Sequence, residues 1–97
     1  VSDTIEIQHE GSDTEGRYFT PVEGSSREAE LTWRARGEVR HATHTFVPPE
    51  ARGQGLAARL VKAMIEDARD QDFRIAPDCS YVEGYFKRHP ELSDLRA

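Results

Sequence analysis

Two lysines, one cysteine and no long apolar run set the first limits on this 97-residue chain. The single cysteine, Cys79, excludes an internal disulfide framework. A reducing cytoplasm is therefore the expected compartment. No apolar stretch approaches the ~18 residues needed to cross a bilayer. No basic-then-apolar start resembles a secretory signal, so no membrane partner is expected. Positive charge is scarce: thirteen Lys and Arg stand against eighteen Asp and Glu, a formal net charge of −5. That balance argues against nucleic acid, whose capture rests on phosphate neutralisation. It leaves room for a small anion at one local positive spot. Eleven of the thirteen basic residues are arginine, which reads as compositional bias and not mechanism. A chain this short buries only ~60–65% of its unfolded surface and supports one core, so residues 1–97 are expected to form one domain.

The first half carries strand patterns. Ile5 and Ile7 alternate with polar neighbours, and Glu10–Gly16 is a run of turn formers. Residues 1–15 fit either a mobile tail or a first strand. Arg17 to Val22 is β-rich, and Pro21 marks its edge or end. Glu28 to Arg36 alternates, with Ala29, Leu31, Trp33 and Ala35 on one face. Gly37-Glu38 turns the chain into Val39 to Val47, which stops at Pro48-Pro49. These strands predict an antiparallel meander.

The period then changes. Leu56, Ala57, Leu60, Val61, Met64, Ile65 and Ala68 fall on one half of a helical wheel, opposite Arg59, Lys62, Glu66, Arg69 and Asp70. This predicts a four-turn amphipathic helix closed by Gln71-Asp72. Phe73 to Pro77 follows as a short strand with Ile75-Ala76 buried. Ser80 and Glu83 make a capping-box pattern, with Ser80 as N-cap of a second helix from about Tyr81 to Arg88. That helix stops before Pro90. The fold class is α+β: a meander, then strand-helix-strand-helix, in a mixed sheet with a parallel crossover.

The segment from Pro48 to Ala57 joins a strand to the start of the long helix and contains Gly53-Gln54-Gly55. Two glycines let a backbone approach a ligand closely. Unpaired amides and the dipole at a helix start favour an anion. Arg52 and Arg59 add charge. The same spacing also serves a plain tight turn. No Gly-Lys-Ser/Thr follows, and the third glycine of the dinucleotide fingerprint is missing.

More of the chain bears on this point. His44-Thr45-Phe46-Val47-Pro48, Arg52-Gly53-Gln54-Gly55, Pro77-Asp78-Cys79 and His89-Pro90-Glu91 occur in order. Together, over roughly residues 16–95, they resemble a subfamily of very short members of the GNAT superfamily of N-acetyltransferases. The resemblance implies a minimal GNAT-like fold that binds acetyl-CoA. It implies that backbone groups of Phe46 and Val47 line the pantetheine arm. Amides of Arg52, Gly53, Gln54, Gly55, Leu56 and Ala57 would hold the pyrophosphate, with Cys79 near the thioester and Tyr85 or Tyr81 beside the arm. Glu50 stands where the superfamily has Gln or Arg; an anionic side chain near a pyrophosphate is unfavourable unless it points away, which argues against a direct role for Glu50. Between Val22 and Glu28 there is room only for a turn, so the acceptor side should be open or very small.

Cys79 is the candidate nucleophile, at a helix start where a thiolate is stabilised. The same residue is equally a small buried apolar group. His44 is the candidate general base. His41 and His44, three apart on a strand, are expected on opposite faces, and no metal site is expected. His89 reads as structural, Lys87 and Arg88 as solvated surface, and Trp33 as core. The expected activity is acetyl transfer to an unidentified amine or thiol acceptor; the alternative is a non-catalytic acetyl-CoA or CoA-binding module. A monomer or weak dimer is expected.

Overall fold

The computed structural model describes residues 6–97. Five strands form one sheet in the order of the chain: β1 (Gln8–Gly11), β2 (Glu15–Thr20), β3 (Ala29–Arg36), β4 (Val39–Phe46) and β5 (Arg74–Ala76). The first four are antiparallel and β5 runs parallel to β4. Helix α1 (Leu56–Gln71) makes the crossover, and α2 (Ser80–Arg88) follows β5. A 3-10 turn at Pro49–Ala51 precedes α1, and a second 3-10 segment, Pro90–Leu95, ends the fold. The expected α+β meander and parallel crossover are both present. Of the two readings of the N-terminal stretch, the strand is realised at Gln8–Gly11. Ile5 lies outside the described residues.

Alternation in β3 decides which side of the sheet is buried. Ala29, Leu31 and Trp33 face inward, with Tyr18 and Ala42 from the neighbouring strands. They meet Leu56, Leu60, Val61, Met64, Ile65 and Ala68 of α1, the apolar half of its wheel. Val82 and Phe86 of α2 join the same core. Each large side chain so buried contributes about 1.5–3 kcal/mol. Gly16 is required by this packing: a Cβ there would lie 2.7 Å from the Trp33 ring and 2.5 Å from the Glu10 carbonyl oxygen.

A polar cluster borders the core. The Trp33 indole N–H donates to His9 Nε2 at 3.1 Å, and His9 stacks on Tyr18 at 4.3 Å. The Tyr18 hydroxyl donates to Asp67 of α1 at 2.8 Å. Burial and that carboxylate raise the Tyr18 phenol above its ordinary range. Arg40 lies between the rings of Trp33 and Phe73, about 4 Å from each centroid.

Two local expectations are corrected. First, His41 and His44 do not lie on opposite faces. Trp33 pairs with Ala42 and Thr32 with His44, so Thr43 is an extra residue in β4. The bulge resets the alternation, and both histidines fall on the outer face with Thr32 and Arg34. Second, Ser80 is not the N-cap of α2. Cys79 takes that position, and no side chain caps the helix. Glu83 turns instead to Arg96 at 2.7 Å, which pins the C-terminal segment. The Ala97 amide donates to Ile75 at 2.8 Å and so covers part of the β5 edge.

The outer face of the sheet is open. Arg34, Thr43 and His44 are exposed, and Phe19 and Phe46 are half-buried. Arg17 is ringed there by Glu10, Glu28 and Glu30.

Candidate functional site

The site is built where β4 leaves its parallel neighbour. β4 pairs with β5 through His41 and Ala76, and the Cys79 amide then donates to the Ala42 carbonyl at 2.9 Å. Beyond Ala42 the chain after β5 turns into α2, while β4 continues to Phe46. A gap opens between β4 and α2 because one element is extended and the other coils.

The gap is bridged by two aligned steps. The Cys79 thiol donates to the Thr45 hydroxyl at 3.5 Å. Two residues further along each element, Val47 and Tyr81 line one cleft. Ala51, Arg52, Gly53, Gly55, Leu56 and Ala57 complete its wall, around a volume of about 260 Å³. Gly53 and Gly55 take φ values of +84° and +74°, in the left-handed region that glycine tolerates. A Cβ at either would meet nothing within 4 Å, so the backbone there faces open space. Gly55 is the N-cap of α1 and supplies no capping side chain. The first amides of a 16-residue helix are thus left for an outside acceptor.

Cys79 sits half-buried at the start of α2. Burial pushes its thiol up. The Thr45 hydroxyl and the amides of Val82, Tyr81 and Thr45 outweigh that, and the thiol titrates below its ordinary value. Asp78 does not oppose this, because its carboxylate turns to His41 Nδ1 at 2.9 Å.

The remaining residues divide. His44 is exposed on the outer face, opposite Thr45, and among the described residues no hydrogen bond joins it to Cys79. The Phe46 ring also faces outward, under the Arg27 guanidinium at 3.8 Å, so only its backbone is available to the gap. Gln54 lies beside Glu50 in a neighbouring recess with Val22 and Leu56. Glu50 thus lines that recess and not the cleft. Tyr85 does not line the cleft; it stacks on His89 at 4.3 Å, and burial raises its phenol. Lys87 is exposed, and Arg88 lies about 6 Å from the Tyr81 and Tyr85 rings.

Three residues gained a place here that their sequence alone did not assign. Thr45 stood inside the His44–Pro48 motif without a role. Alternation would have pointed its hydroxyl away from His44, but not toward Cys79. The His41–Asp78 pair depends on the bulge and had no local signal. A larger recess of about 750 Å³ lies on the outer face between the β1–β2 hairpin and Thr43. Its arginines are already paired with glutamates, and it is remote from the glycine turn, so size does not select it. No group of three or more metal-ligating side chains occurs among the described residues.

Comparison with known proteins agrees with this fold. The sequence pattern of the family described as GCN5-related N-acetyl-transferase matches residues 17–95. Protein NATD1 of Gallus gallus is 31% identical over 88 residues, covering 89% of this chain and 77% of its own. Protein NATD1 of Homo sapiens is also 31% identical, covering 89% and 75%. The solution structure of a GCN5-like protein from Staphylococcus aureus superposes with a TM-score of 0.74 at 25% identity, covering 99% of this chain and 91% of that one. The chain belongs to the GCN5-related N-acetyltransferase family.

Proposed function

We propose that this protein binds acetyl-CoA in the gap between β4 and α2 and transfers the acetyl group to an amine or thiol acceptor. The observation that carries the reading is the alignment of the gap. Glycines of positive φ and the uncapped start of α1 lie at one end, and Cys79 lies two residues inward on Thr45. The amides from Gly53 to Ala57 suit a diphosphate, which needs several N–H donors and no opposing charge, while the Arg52 amide is held by the Pro49 carbonyl. Backbone groups of Phe46 and Val47 continue that line toward the thioester. The Val47 amide polarises the thioester carbonyl as negative charge builds on its oxygen.

Cys79 is the nucleophile in this reading. Its thiolate attacks the thioester carbon, the carbon–sulfur bond to CoA breaks, and CoA leaves as a thiolate. A neutral amine then attacks acetyl-Cys79, yielding the amide and returning the Cys79 thiolate. The proton released by the amine passes to solvent, since His44 stands on the opposite face of β4 from Cys79. A second reading, a binding module without turnover, is favoured by one observation. The β2–β3 connection carries no helix to wall an acceptor pocket.

Incubation with acetyl-CoA and a panel of amines, read as free thiol release, tests turnover. Intact mass with and without Cys79→Ala tests the covalent route. Release above hydrolysis, with an acetylated Cys79, supports the proposal. Binding without release leaves the module reading. No shift of the Gly53, Gly55 or Cys79 amides on titration refutes both.

A further inference from the structure

We infer that His41 is a positioning residue for Cys79: it holds the Asp78 carboxylate on the outer face of the sheet and so keeps that charge off the amides at the start of α2. The inference rests on the reading of Cys79 as nucleophile and adds to it a residue that acts on the thiol through another side chain.

Cys79 stands between two acids in the segment that opens α2, Asp78 just before it and Glu83 in the first turn. Both are drawn away by other parts of the chain. Glu83 reaches Arg96 at 2.7 Å. Asp78 Oδ2 lies 2.9 Å from His41 Nδ1. A carboxylate has no proton to give, so the imidazole donates in this pair whatever its own charge. Strand β4 thus holds the two neighbours on its two sides. His41 lies on the outer face, whereas Thr45 faces the gap and accepts from the Cys79 thiol at 3.5 Å.

The imidazole is not what places Cys79. The Cys79 amide donates to the Ala42 carbonyl at 2.9 Å, and the Asp78 amide to the Ala76 carbonyl at 3.0 Å. His41 and Ala76 are themselves paired across β4 and β5. The main chain at Asp78 and Cys79 is therefore held without any side chain. What His41 fixes is the carboxylate, which bonds no other side chain among the described residues. Arg34, the partner of His41 on β3, turns to Glu15 at 3.6 Å.

A carboxylate released from His41 has a destination. Cys79 is the N-cap of α2, and no side chain caps that helix. Asp78 is one residue from the cap. Aspartate is a favoured acceptor for the first helical amides, and the helix dipole favours its charge there. The amides of Tyr81 and Val82 are the ones that steady the Cys79 thiolate. A carboxylate on them would take donors from the sulfur and set a like charge beside it, and both effects raise the thiol.

The test is the pH dependence of Cys79 alkylation by iodoacetamide, an uncharged reagent, in the full chain. Cys79 is the sole cysteine, so the signal belongs to it. His41→Ala is expected to raise the midpoint by about 0.5–1 pH unit, the effect of one carboxylate close to a half-buried thiol. Below the midpoint the rate then falls by about threefold to tenfold, in step with the thiolate fraction. Adding Asp78→Asn to His41→Ala should return the midpoint to that of Asp78→Asn alone, since no charge is left to hold. His41→Gln, whose amide donates to the same carboxylate, should keep the wild-type midpoint, and it decides the matter where His41→Ala does not fold. A midpoint that His41→Ala leaves unmoved overturns the inference. A rise of equal size with Asp78→Asn present would make the imidazole a packing group, and also overturns it. A raised midpoint in His41→Gln does the same. Acetylation of wild-type Cys79 by acetyl-CoA, read by intact mass, checks the parent reading separately. Its absence refutes the nucleophile, while the alkylation series still decides whether His41 governs the thiol.

Discussion

Alanine at three glycines separates the ligand role of the turn from its conformational role. Gly53, Gly55 and Gly37 have φ values of +84°, +74° and +61°, and a Cβ at each would meet nothing within 4 Å. The folding cost of each substitution is therefore backbone strain alone, about 1–2 kcal/mol. For a chain of this size each kcal/mol lowers Tm by roughly 4–8 °C. Thermal melts followed by circular dichroism should show three similar losses. Binding should not be similar. At Gly53 and Gly55 the new methyl occupies the open space in front of the amides. Losing one charge-assisted bond of about 1.5–3 kcal/mol weakens acetyl-CoA by about 10- to 100-fold. Gly37 turns β3 into β4, at the opposite end of β4 from Phe46, and its variant should bind as the wild type does. Calorimetric titration at a temperature where all three remain folded gives the comparison. Equal affinities across the series, or equal losses, would refute the assignment of the diphosphate to this turn.

Other substitutions probe the rest of the molecule. Thr45→Val removes the hydroxyl that steadies the Cys79 thiolate, so the pH midpoint for alkylation of Cys79 should rise, while Thr45→Ser should restore it. The His9 imidazole titrates below its ordinary value, chiefly through burial, and its Nε2 accepts the Trp33 N–H. Because the unfolded chain takes up that proton first, stability is complete above the unfolded pKa of about 6.5 and falls as pH drops through the lower folded value. Urea midpoints measured from pH 7.5 to 5 should show this decline, and His9→Phe should flatten the part that His9 supplies. Gly16→Ala forces a methyl against Trp33 and the Glu10 carbonyl and should cost about 1–3 kcal/mol in chemical denaturation. Gly84→Ala meets only the flexible end of Arg88 at 3.3 Å, and should stabilise α2 by about 0.5–1 kcal/mol in the same assay.

What could be read from the sequence follows from how far each signal reaches along the chain. The α1 wheel is local: six of the seven apolar positions named from its period are buried, and Ala57 is half-buried. The alternation of β3 is local too, and it placed Trp33 in the core correctly. Ser80 and Glu83 show where a local rule loses. Glu83 can close a capping box or pair with Arg96, and a C-terminal segment anchored on Ile75 brings Arg96 within 2.7 Å. The Pro90–Leu95 segment had no periodic signal and depends on that anchoring.

The arrangement of the site depended most on pairings that no single segment encodes. The glycine turn was legible because two glycines before an amphipathic helix already imply open amides. The place of His44 was not. A strand of eight residues with no proline or glycine gives no sign of a bulge, since the extra residue exists only relative to β3. Thr43 supplies that residue, which turns His44 outward and leaves Thr45 facing Cys79. The bulge therefore divides the chemistry between the two sides of one strand. The thiol and the glycine turn serve the gap, while the imidazole serves the open face. In the proposed reaction an amine that attacks acetyl-Cys79 must enter the gap, on the side of β4 opposite His44. His44→Ala therefore removes a side chain of the open face and leaves Thr45 and Cys79 in place. Turnover should then persist wherever calorimetry detects acetyl-CoA at the glycine turn. Lost turnover with binding retained would show that the imidazole reaches the attacking amine and would refute this division of the two sides.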